Sequence, residues 1–366
     1  MSQVPWHQRV GDGYVLGWVR VALGVLLFAQ GLAAAQELAE FGYFGDTFHW
    51  PYLPEALVAP RKIYVTIVAM RVLLAALVIV GQRARTALFV SAVLGLYGIL
   101  CNRLEFHHNR YALFLLSFLL SFAPADRSFL LLEGHMRPTE RAEPFFAVRL
   151  AQLQVSLIYI ASGASKLLDA DWRDGVVLAD RIQRHAHLAV AKGVPERVVA
   201  FLGSAGASSA LAKLAITTEL VVAVGLWSKR YRVVALWWGV WFHLITQITT
   251  QVESFGWLML TAYGFFVTPD YEARKFCFDS SRTKSVIWAK IIAFLDWFGR
   301  FELRPWAGDD LENAHTIVIV RRDGSRATGL RAAEMITRCI PVFFPFWAIF
   351  AIVASFSKGS DGTSDG

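Results

Sequence analysis

Long apolar runs constrain the fold of this chain more than any other feature of its sequence. Of the 366 residues, 55% are hydrophobic and only 18% are charged, whereas soluble domains have about 45–50% apolar and about 25% charged residues. This composition fits neither a single soluble globule nor a disordered chain nor a disulfide-rich secreted domain. Because a helix needs about 20 mostly apolar residues to cross a bilayer, the sequence predicts an all-α, polytopic bundle in a lipid bilayer.

About eight or nine membrane spans are predicted from these runs. The candidate spans are residues 15–38, 63–80, 86–102, 110–124, 145–167, 209–227, 232–250, 255–268 and 340–356. Short loops between the first spans indicate that helices adjacent in sequence pack antiparallel. The predicted domains are a transmembrane part at 1–269, a small basic soluble segment at 270–338, a hydrophobic helix at 339–357 and a disordered tail at 358–366.

Three stretches outside the spans have patterns of their own. Residues 40–62 are aromatic and contain three prolines, which predicts a cap at the membrane interface. Within residues 169–207, apolar residues between Leu178 and Leu188 fall near helical spacing and predict an amphipathic surface helix. In the α+β segment 270–338, residues 316–320 predict a strand, Asp323-Gly324 a turn and 330–338 a helix.

The net charge of +7 is interpreted as a topology signal, not as a nucleic-acid-binding surface. Lys and Arg concentrate in the loops of one predicted membrane face, as cytoplasmic loops do. The N-terminus is therefore predicted to be cytoplasmic, with the opposite face periplasmic, or lumenal in a eukaryote. Residues 1–13 are polar and predict no cleaved signal peptide.

Charged side chains at membrane depth are costly and are functional candidates. Arg20 and Lys213 are predicted to snorkel from helix ends towards water. Arg71 and Arg149 lie deeper and are expected to pair with a carboxylate or a carbonyl inside the bundle. Glu219 is one candidate partner.

A polar face runs along the predicted span at 145–167. Arg149, Gln152, Ser156, Tyr159 and Gly163 follow one another at steps of three and four residues, so they share one side of a helix. This face must point into the bundle, because lipid cannot satisfy its polar groups. Lys166 follows one turn later, where desolvation would make it a base near neutral pH. The alternative is a lysine that snorkels from the helix end.

Histidines provide a second group of candidates on the same predicted membrane face. His107 and His108 lie between two spans, and His243 lies within a third, one turn before Thr246 and Gln247. Convergence of imidazoles, hydroxyl and amide groups near Lys166 predicts a site. The alternative for His243 is a core histidine that serves packing alone.

The segment YIASGASKLLDADWRDG, residues 159–175, resembles a motif of the HTTM (horizontally transferred transmembrane) proteins, bacterial relatives of the vitamin K-dependent gamma-glutamyl carboxylase. The matching residues are Gly163, Lys166, Asp169, Asp171, Trp172 and Gly175. Weaker matches are RVALG at 20–24, HHNRY at 107–111, APADRS at 123–128 and FHL at 242–244. The resemblance extends from about residue 10 to about residue 270.

This resemblance implies a membrane enzyme that uses vitamin K hydroquinone or menaquinol with O2 and CO2. Lys166 would be the base that deprotonates the hydroquinone, with His243 and His107 or His108 as hydrogen-bonding partners. Oxygenation would then generate the strong base that removes a glutamate γ proton in a peptide or protein substrate. The implied quinone-binding residues are Tyr159, Gly163, Trp172, Thr246, Gln247 and Arg149. The implied location is the inner membrane, with the active site facing the periplasm or lumen.

The cysteines indicate neither a disulfide framework nor a metal site. Cys101, Cys277 and Cys339 are far apart, and no CxxC or Cys/His ligand spacing occurs. The tail at 316–345 faintly resembles the C-terminal half of DCC-type thiol oxidoreductase domains. Because the cysteine pair of such domains is missing, this tail is interpreted as a structural remnant.

A non-catalytic function remains as the alternative hypothesis. Some HTTM relatives accompany peptide toxins, so a maturation or immunity factor for a peptide toxin is one possibility, and a small transporter is another. Inverted repeats, which would favour a transporter, are not evident between the halves of the chain.

Overall fold

The chain divides into two units, residues 1–268 and 269–366. In its described residues the first unit is helical apart from one two-residue strand pair, and the second contains a four-stranded sheet. The computed structural model describes residues 10–11, 14–46, 48–130, 143–144, 146–228, 231–249, 254–267, 274–296, 300–306, 317–321, 324–347, 349–350 and 353–354.

The described part of the first unit contains twelve α-helices. They are α1 Tyr14–Phe41, α2 Arg61–Val80, α3 Ala84–Cys101, α4 His108–Ser121, α5 Phe146–Leu168, α6 Ala170–Arg173, α7 Val176–Arg184, α8 Ala186–Ala191, α9 Glu196–Leu202, α10 Ala205–Gly225, α11 Arg232–Thr249 and α12 Phe255–Ala262. A 3-10 helix, Tyr263–Phe266, continues α12. Strands β1 Val10–Gly11 and β2 Glu143–Pro144 pair antiparallel.

Five helices, α1, α2, α3, α5 and α10, are long and apolar enough to cross a membrane. The first unit therefore fits a multi-pass membrane protein, as predicted. The predicted total of eight or nine spans is not confirmed. Helix α4 has only 14 residues, and α12 has only 8 before its 3-10 continuation.

The long helices pack in pairs around one apolar core. Helix α1 lies along α2, α3 along α4, and α5 along α10. Their inner faces carry fully buried residues, among them Leu23, Leu88, Leu120, Val155 and Val222. Their outer faces expose large apolar side chains such as those of Leu73 and Val224. An exposed apolar belt around an apolar core is the pattern that a lipid environment requires.

The prediction that Arg20 snorkels is wrong. Its side chain is fully buried, and Nη2 donates to the carbonyl oxygens of Ser128 at 3.3 Å and Phe129 at 2.7 Å. Phe129 holds a left-handed backbone (φ +57°), which is strained for an aromatic residue. Helix α2 ends at Gly81, which has φ +95°. Gly81 lies against the Arg20 guanidinium, and a Cβ at this position would collide with Nη1 of Arg20. Arg20 therefore ties α1 to the turn after α4.

Arg71 is buried inside the bundle, as predicted, and of the two predicted kinds of partner, a carboxylate or a carbonyl, it binds a carbonyl oxygen. Its guanidinium donates to Oε1 of Gln30 on α1 and lies 4.9 Å from the centroid of the Phe114 ring. Glu219, one of the candidate partners, pairs with a different cation. An amide oxygen and an aromatic face together stabilise this buried cation.

The aromatic stretch between α1 and α2 forms two 3-10 turns, Phe44–Asp46 and Glu55–Leu57. The guanidinium of Arg103, just after α3, lies 4.6 Å from the Trp50 ring and 4.4 Å from the Tyr52 ring. These cation–π contacts fix the stretch to the end of α3.

Residues 169–207 form four short helices, α6 to α9, and only one of them is the predicted amphipathic helix. Helix α7 carries Leu178 and Ile182 on one face but ends at Arg184, so Leu188 belongs to α8. Ile182 packs with Ala189 of α8 and other apolar residues in a small buried cluster. The stretch thus has a small apolar cluster of its own and also packs against α10.

The second unit is an α+β fold. Its elements are β3 Arg274–Asp279, α13 Thr283–Leu295, β4 Phe301–Trp306, β5 Ile317–Val320, β6 Arg326–Thr328 and α14 Gly329–Cys339, followed by a 3-10 helix, Pro341–Phe346. The sheet order is β4-β3-β5-β6, with β3 and β4 parallel and the other pairs antiparallel. The predicted strand and helix are present, whereas Thr316 and Asp323 lie outside the described residues.

The start of the predicted ninth span belongs to this second unit. Ile340 is fully buried in the core of the unit, and Phe343 packs against the same core. An apolar cavity of about 490 Å³ lies beside this segment, lined in part by Trp288, Ile336 and Phe343. The membrane span predicted at 340–356 is therefore not confirmed.

We expect Arg20→Leu to lower the free energy of unfolding by about 1–3 kcal/mol, because it leaves two buried carbonyl groups without their donor. Lys213→Leu, which removes an exposed cation from α10, should change it by less than about 0.5 kcal/mol. Thermal unfolding in detergent, followed by tryptophan fluorescence, measures both. Equal stability of the two variants would show that Arg20 contributes no structural tie.

Cys277 and Cys339 are expected to react slowly with an alkylating reagent near neutral pH. Burial raises the pKa of both thiols, and the thiolate is the nucleophile. The rate should therefore rise with pH, and denaturant should accelerate alkylation at a fixed pH. Mass spectrometry of the digested protein measures the extent at each site. Ser281→Cys, at an exposed position, is the fast control; equally fast alkylation of Cys277 in the folded protein would contradict the expectation.

Candidate functional site

The polar face of α5 points into the bundle. Gln152, Ser156 and Tyr159 are all buried on this face. Nε2 of Gln152 donates to the carbonyl oxygen of Phe265 at 2.5 Å, and Oγ of Ser156 accepts from the indole N–H of Trp227 at 2.8 Å. These contacts tie α5 to the 3-10 turn after α12 and to the end of α10. The sequence pattern, with small and polar residues every three or four positions, is what allows this tight contact.

Tyr159 is the centre of a group that we name the phenol cluster, formed by Tyr159, His243 and Tyr263. The Tyr159 hydroxyl oxygen lies 2.5 Å from Nε2 of His243 and 2.5 Å from the hydroxyl oxygen of Tyr263. All three side chains are buried, and they come from α5, α11 and the turn after α12. Because each phenol can donate one hydrogen bond and the imidazole can accept one, the cluster forms a continuous hydrogen-bonded chain.

One turn further along α5 lies a group that we name the lysine site, formed by Ser162, Lys166, Trp172 and Glu219. Nζ of Lys166 lies 2.5 Å from Oε1 of Glu219 and 2.7 Å from Oγ of Ser162. The Ser162 hydroxyl donates to the same Glu219 oxygen at 3.1 Å. The Glu219 side chain is only 6% exposed and that of Lys166 17%. An ion pair therefore sits between α5 and α10, largely removed from solvent.

The turn after α5 places Trp172 over the lysine. The Asp169 carboxylate accepts hydrogen bonds from backbone N–H groups of α6 and so caps that short helix. Nζ of Lys166 then lies 5.2 Å from the indole centroid, and Cζ of Arg181 lies 5.3 Å from it. Gly175, at φ +82°, lies against the backbone of α10, where a Cβ would collide. This contact explains the glycine of the sequence motif in physical terms.

Gly163 controls how closely α10 approaches α5. A Cβ built on Gly163 would lie 2.9 Å from Cδ2 of Leu220 and 3.4 Å from Cβ of Glu219. The missing side chain therefore lets the Glu219 backbone come near enough for its carboxylate to reach Lys166. A small residue at a helix crossing in a membrane bundle commonly has this function.

The structure brings together five of the residues singled out from the sequence. Tyr159 and His243 meet in the phenol cluster, Lys166 and Trp172 meet in the lysine site, and Gly163 lies between these groups on α5. The Lys166 ammonium hydrogen-bonds to groups on α5 and α10, as a pocket lysine would, and not as the snorkelling alternative requires.

Three further predicted residues lie along the same helices. Nη1 of Arg149 donates to Oε1 of Gln152 at 2.7 Å, near the beginning of α5 and far along the helix from Lys166. The Thr246 hydroxyl donates to the carbonyl oxygen of His243 in its own helix at 3.1 Å. Gln247 is half-buried on α11, beside α12.

His107 and His108 are not joined to the lysine site by any hydrogen bond or ring contact among the described residues. Both are exposed at the beginning of α4. The His108 ring packs edge-on against that of Phe106, with centroids 5.2 Å apart.

Sequence reasoning missed the parts played by Ser162, Glu219 and Tyr263. Glu219 was considered only as a partner for buried arginines, although Lys166 is the cation that it binds. Ser162 lies one helical turn before Lys166, a spacing that could have identified it as a neighbour. Tyr263 lies in a short apolar segment and gives no periodic signal.

The lysine site has the groups needed to remove a proton and to stabilise the resulting anion. It contains a carboxylate, an ammonium group and an aromatic wall, in surroundings where electrostatic interactions are strong because water is scarce. Among the described residues, no group of three or more His, Cys, Asp or Glu side chains could hold a metal ion.

The family model of the HTTM domain matches residues 8–271, most of the chain, and the chain therefore belongs to the HTTM family. This domain is associated with the vitamin K-dependent carboxylase family. The matched range contains both the lysine site and the phenol cluster. Comparison with curated proteins and with solved structures gives no match.

We expect Gly163→Leu to separate α5 from α10 and to break the Lys166–Glu219 pair, because the added side chain occupies the space of Leu220. The variant should unfold at a lower temperature, and Lys166 should react faster with an amine-modifying reagent. Gly206→Leu is the matched control, since Gly206 is an exposed glycine of α10 with open space around it. Unchanged Lys166 reactivity in Gly163→Leu would contradict the packing role.

Proposed function

We propose that this member of the HTTM family is an integral membrane enzyme that deprotonates a reduced quinone at the lysine site. The observation that carries the proposal is the buried ion pair between Lys166 and Glu219, 2.5 Å from Nζ to Oε1. The family resemblance implies Lys166 as the base of the reaction, and this supports the proposal. Vitamin K hydroquinone and menaquinol are the co-substrates that this resemblance implies.

The cost of the ion pair supports a functional role. In many proteins the free energy needed to desolvate two buried charges exceeds the free energy gained from their attraction. Apolar side chains can often replace such a pair without loss of stability. Ionisable residues inside membrane bundles accordingly mark reaction sites and transport pathways. Lys166 and Glu219 sit on two helices of the membrane part, where packing alone requires neither charge.

The surroundings fit an aromatic diol with a long apolar tail. The Trp172 indole offers a ring for stacking beside the ammonium group. Glu219 offers an acceptor for a hydroxyl group, and the phenol cluster lies one turn away on α5. Leu168, at the end of α5, is 81% exposed and gives an isoprenoid tail an apolar surface next to the site.

The oxidant and the final substrate follow from the family resemblance. With O2 as oxidant, the deprotonated hydroquinone would be converted to its epoxide, and CO2 could then be added to a glutamate γ carbon in a peptide or protein. The distribution of Lys and Arg supports an inner-membrane protein with a cytoplasmic N-terminus and a site at the periplasmic or lumenal face.

The non-catalytic alternative is a factor in peptide-toxin maturation or immunity, or a transporter. A maturation or immunity factor has no need of a lysine held inside the bundle, whereas a transporter could use one. The hydrogen bonds of Lys166 to Ser162 and Glu219 therefore favour an enzyme over a maturation or immunity factor.

We expect Lys166→Ala to lower hydroquinone-to-epoxide conversion by about 100-fold or more, which is the usual contribution of a proton-transfer group. Purified protein in detergent is supplied with a short-chain naphthohydroquinone and O2, and the epoxide is measured by chromatography. Lys213→Ala, which removes an exposed lysine from α10, should retain full activity. Full activity of Lys166→Ala would overturn the role of Lys166, and an inactive wild-type protein would overturn the proposed activity.

A further inference from the structure

The apolar cavity of about 490 Å³ lies wholly within the second unit, with walls from α13, β5, α14 and the segment after α14. Its lining includes Trp288 of α13, Ala333 and Ile336 of α14, and Phe343 and Phe346 of the 3-10 helix. Ligand sites have about 300–1,000 Å³ and mostly apolar walls with few polar groups. This cavity therefore has the size and the lining of a ligand site.

Small residues on one face of α14 leave this space open. Gly329 and Ala333 line the cavity one helical turn apart, and a Cβ built on Gly329 meets no atom within 4 Å. Folded interiors contain few voids larger than a water molecule, because the walls of an empty space lose dispersion contacts. An apolar ligand would supply the contacts that these walls lack.

Polar groups of the cavity lie at its edge and not along its length. The Thr337 hydroxyl, in the wall, is already used, since it donates to the carbonyl oxygens of Ala333 at 3.0 Å and of Glu334 at 2.9 Å in its own helix. The Trp288 side chain is 46% exposed, and its indole N–H has no hydrogen-bond partner among the described residues. The cavity thus suits an apolar chain that ends in a polar head group.

The charge beside Trp288 is positive. Lys284 lies one turn before Trp288 on the same side of α13, and its exposed ammonium group has no ion pair among the described residues. Helix α13 contains two lysines and no Asp or Glu. The only carboxylate of α14, Glu334, accepts a hydrogen bond from the indole N–H of Trp347 at 2.7 Å. A negatively charged head group therefore matches this edge of the cavity.

We propose that the second unit binds a long-chain fatty acid, with the apolar chain in the cavity and the carboxylate beside Lys284 and Trp288. The inference concerns residues outside the lysine site and does not depend on the proposed function. The second unit is continuous, through residues 267–273, with a unit that fits a membrane protein. Amphiphiles of the bilayer are accordingly present wherever this chain is inserted.

Photolabelling of the full chain tests the site. The probe is palmitic acid with a diazirine in the middle of its chain, added to protein in nanodiscs of neutral phosphatidylcholine. After digestion with trypsin, mass spectrometry should find saturable labelling of the α14 peptide 332–338, which contains Ala333, Ile336 and Thr337. Unlabelled palmitic acid should compete with the probe, and uncharged methyl palmitate should compete at least about threefold less well. Labelling of lipid-facing helices in the first unit, which only reflects the bilayer, should not saturate.

Two variants separate the site of the chain from the site of the head group. Ala333→Phe fills the cavity and should lower labelling of peptide 332–338 by about tenfold or more. Lys284→Glu leaves the cavity unchanged and should lower labelling by the acid about threefold or more. Lys290→Glu is the matched control, because Lys290 is an exposed lysine two residues after Trp288 and so lies on another side of α13. It should label as wild type does.

Four results would overturn the inference. They are unsaturable or absent labelling of peptide 332–338 in wild type, undiminished labelling in folded Ala333→Phe, equal competition by methyl palmitate, and equal losses in Lys284→Glu and Lys290→Glu. Size-exclusion chromatography establishes that each variant is folded. If Ala333→Phe does not fold, the comparison of the two lysine variants still decides the head-group assignment, and saturation in wild type still decides whether the cavity is a site.

Discussion

Each charge that lies within this helical bundle must find its partner inside the bundle, and this constraint shapes the first unit. Three cations meet it in different ways: Lys166 binds a carboxylate, Arg20 binds two backbone carbonyl groups, and Arg71 binds an amide oxygen and an aromatic ring. The three solutions differ in what they leave available. The carbonyl and amide partners are neutral groups, whereas Glu219 is a carboxylate. Of these three pairs, only the one at Lys166 therefore joins two side chains that can each exchange a proton.

The geometry around that pair depends on residues that carry no charge. Gly163 lets α10 approach α5, and Gly175 lets the turn after α5 lie against α10. Trp172, placed by the Asp169 cap, covers the ammonium group on the remaining side. The spacing of glycine, lysine, aspartate and tryptophan in the 159–175 segment thus has a physical explanation. The two glycines set the helix distance, the aspartate sets the turn, and the tryptophan completes the surroundings of the lysine.

Much of this arrangement could be predicted from one sequence, because helical period and apolar length are local properties. The inward-facing polar side of α5 and the burial of Arg71 follow from periodicity and from the cost of charge in lipid. The Lys166–Glu219 contact does not follow from these local properties, because it joins positions 53 residues apart. The register of the two helices at this contact depends on side-chain packing at Gly163. The prediction that Arg20 snorkels is wrong for a related reason. Its place near a helix end suggested access to water, but the turn after α4 folds over it.

The two units differ in the chemistry that their buried side chains allow. The sequence of the second unit contains no CxxC motif, which next to a βαβ unit would indicate a thioredoxin-like redox site. Its two thiols, Cys277 and Cys339, have pKa values raised by burial, so thiolate chemistry is suppressed at both. By contrast, the first unit holds an ion pair between Lys166 and Glu219 that is largely removed from solvent. Ionisable groups at membrane depth are costly and are functional candidates, so the proposed chemistry is to be tested at this pair.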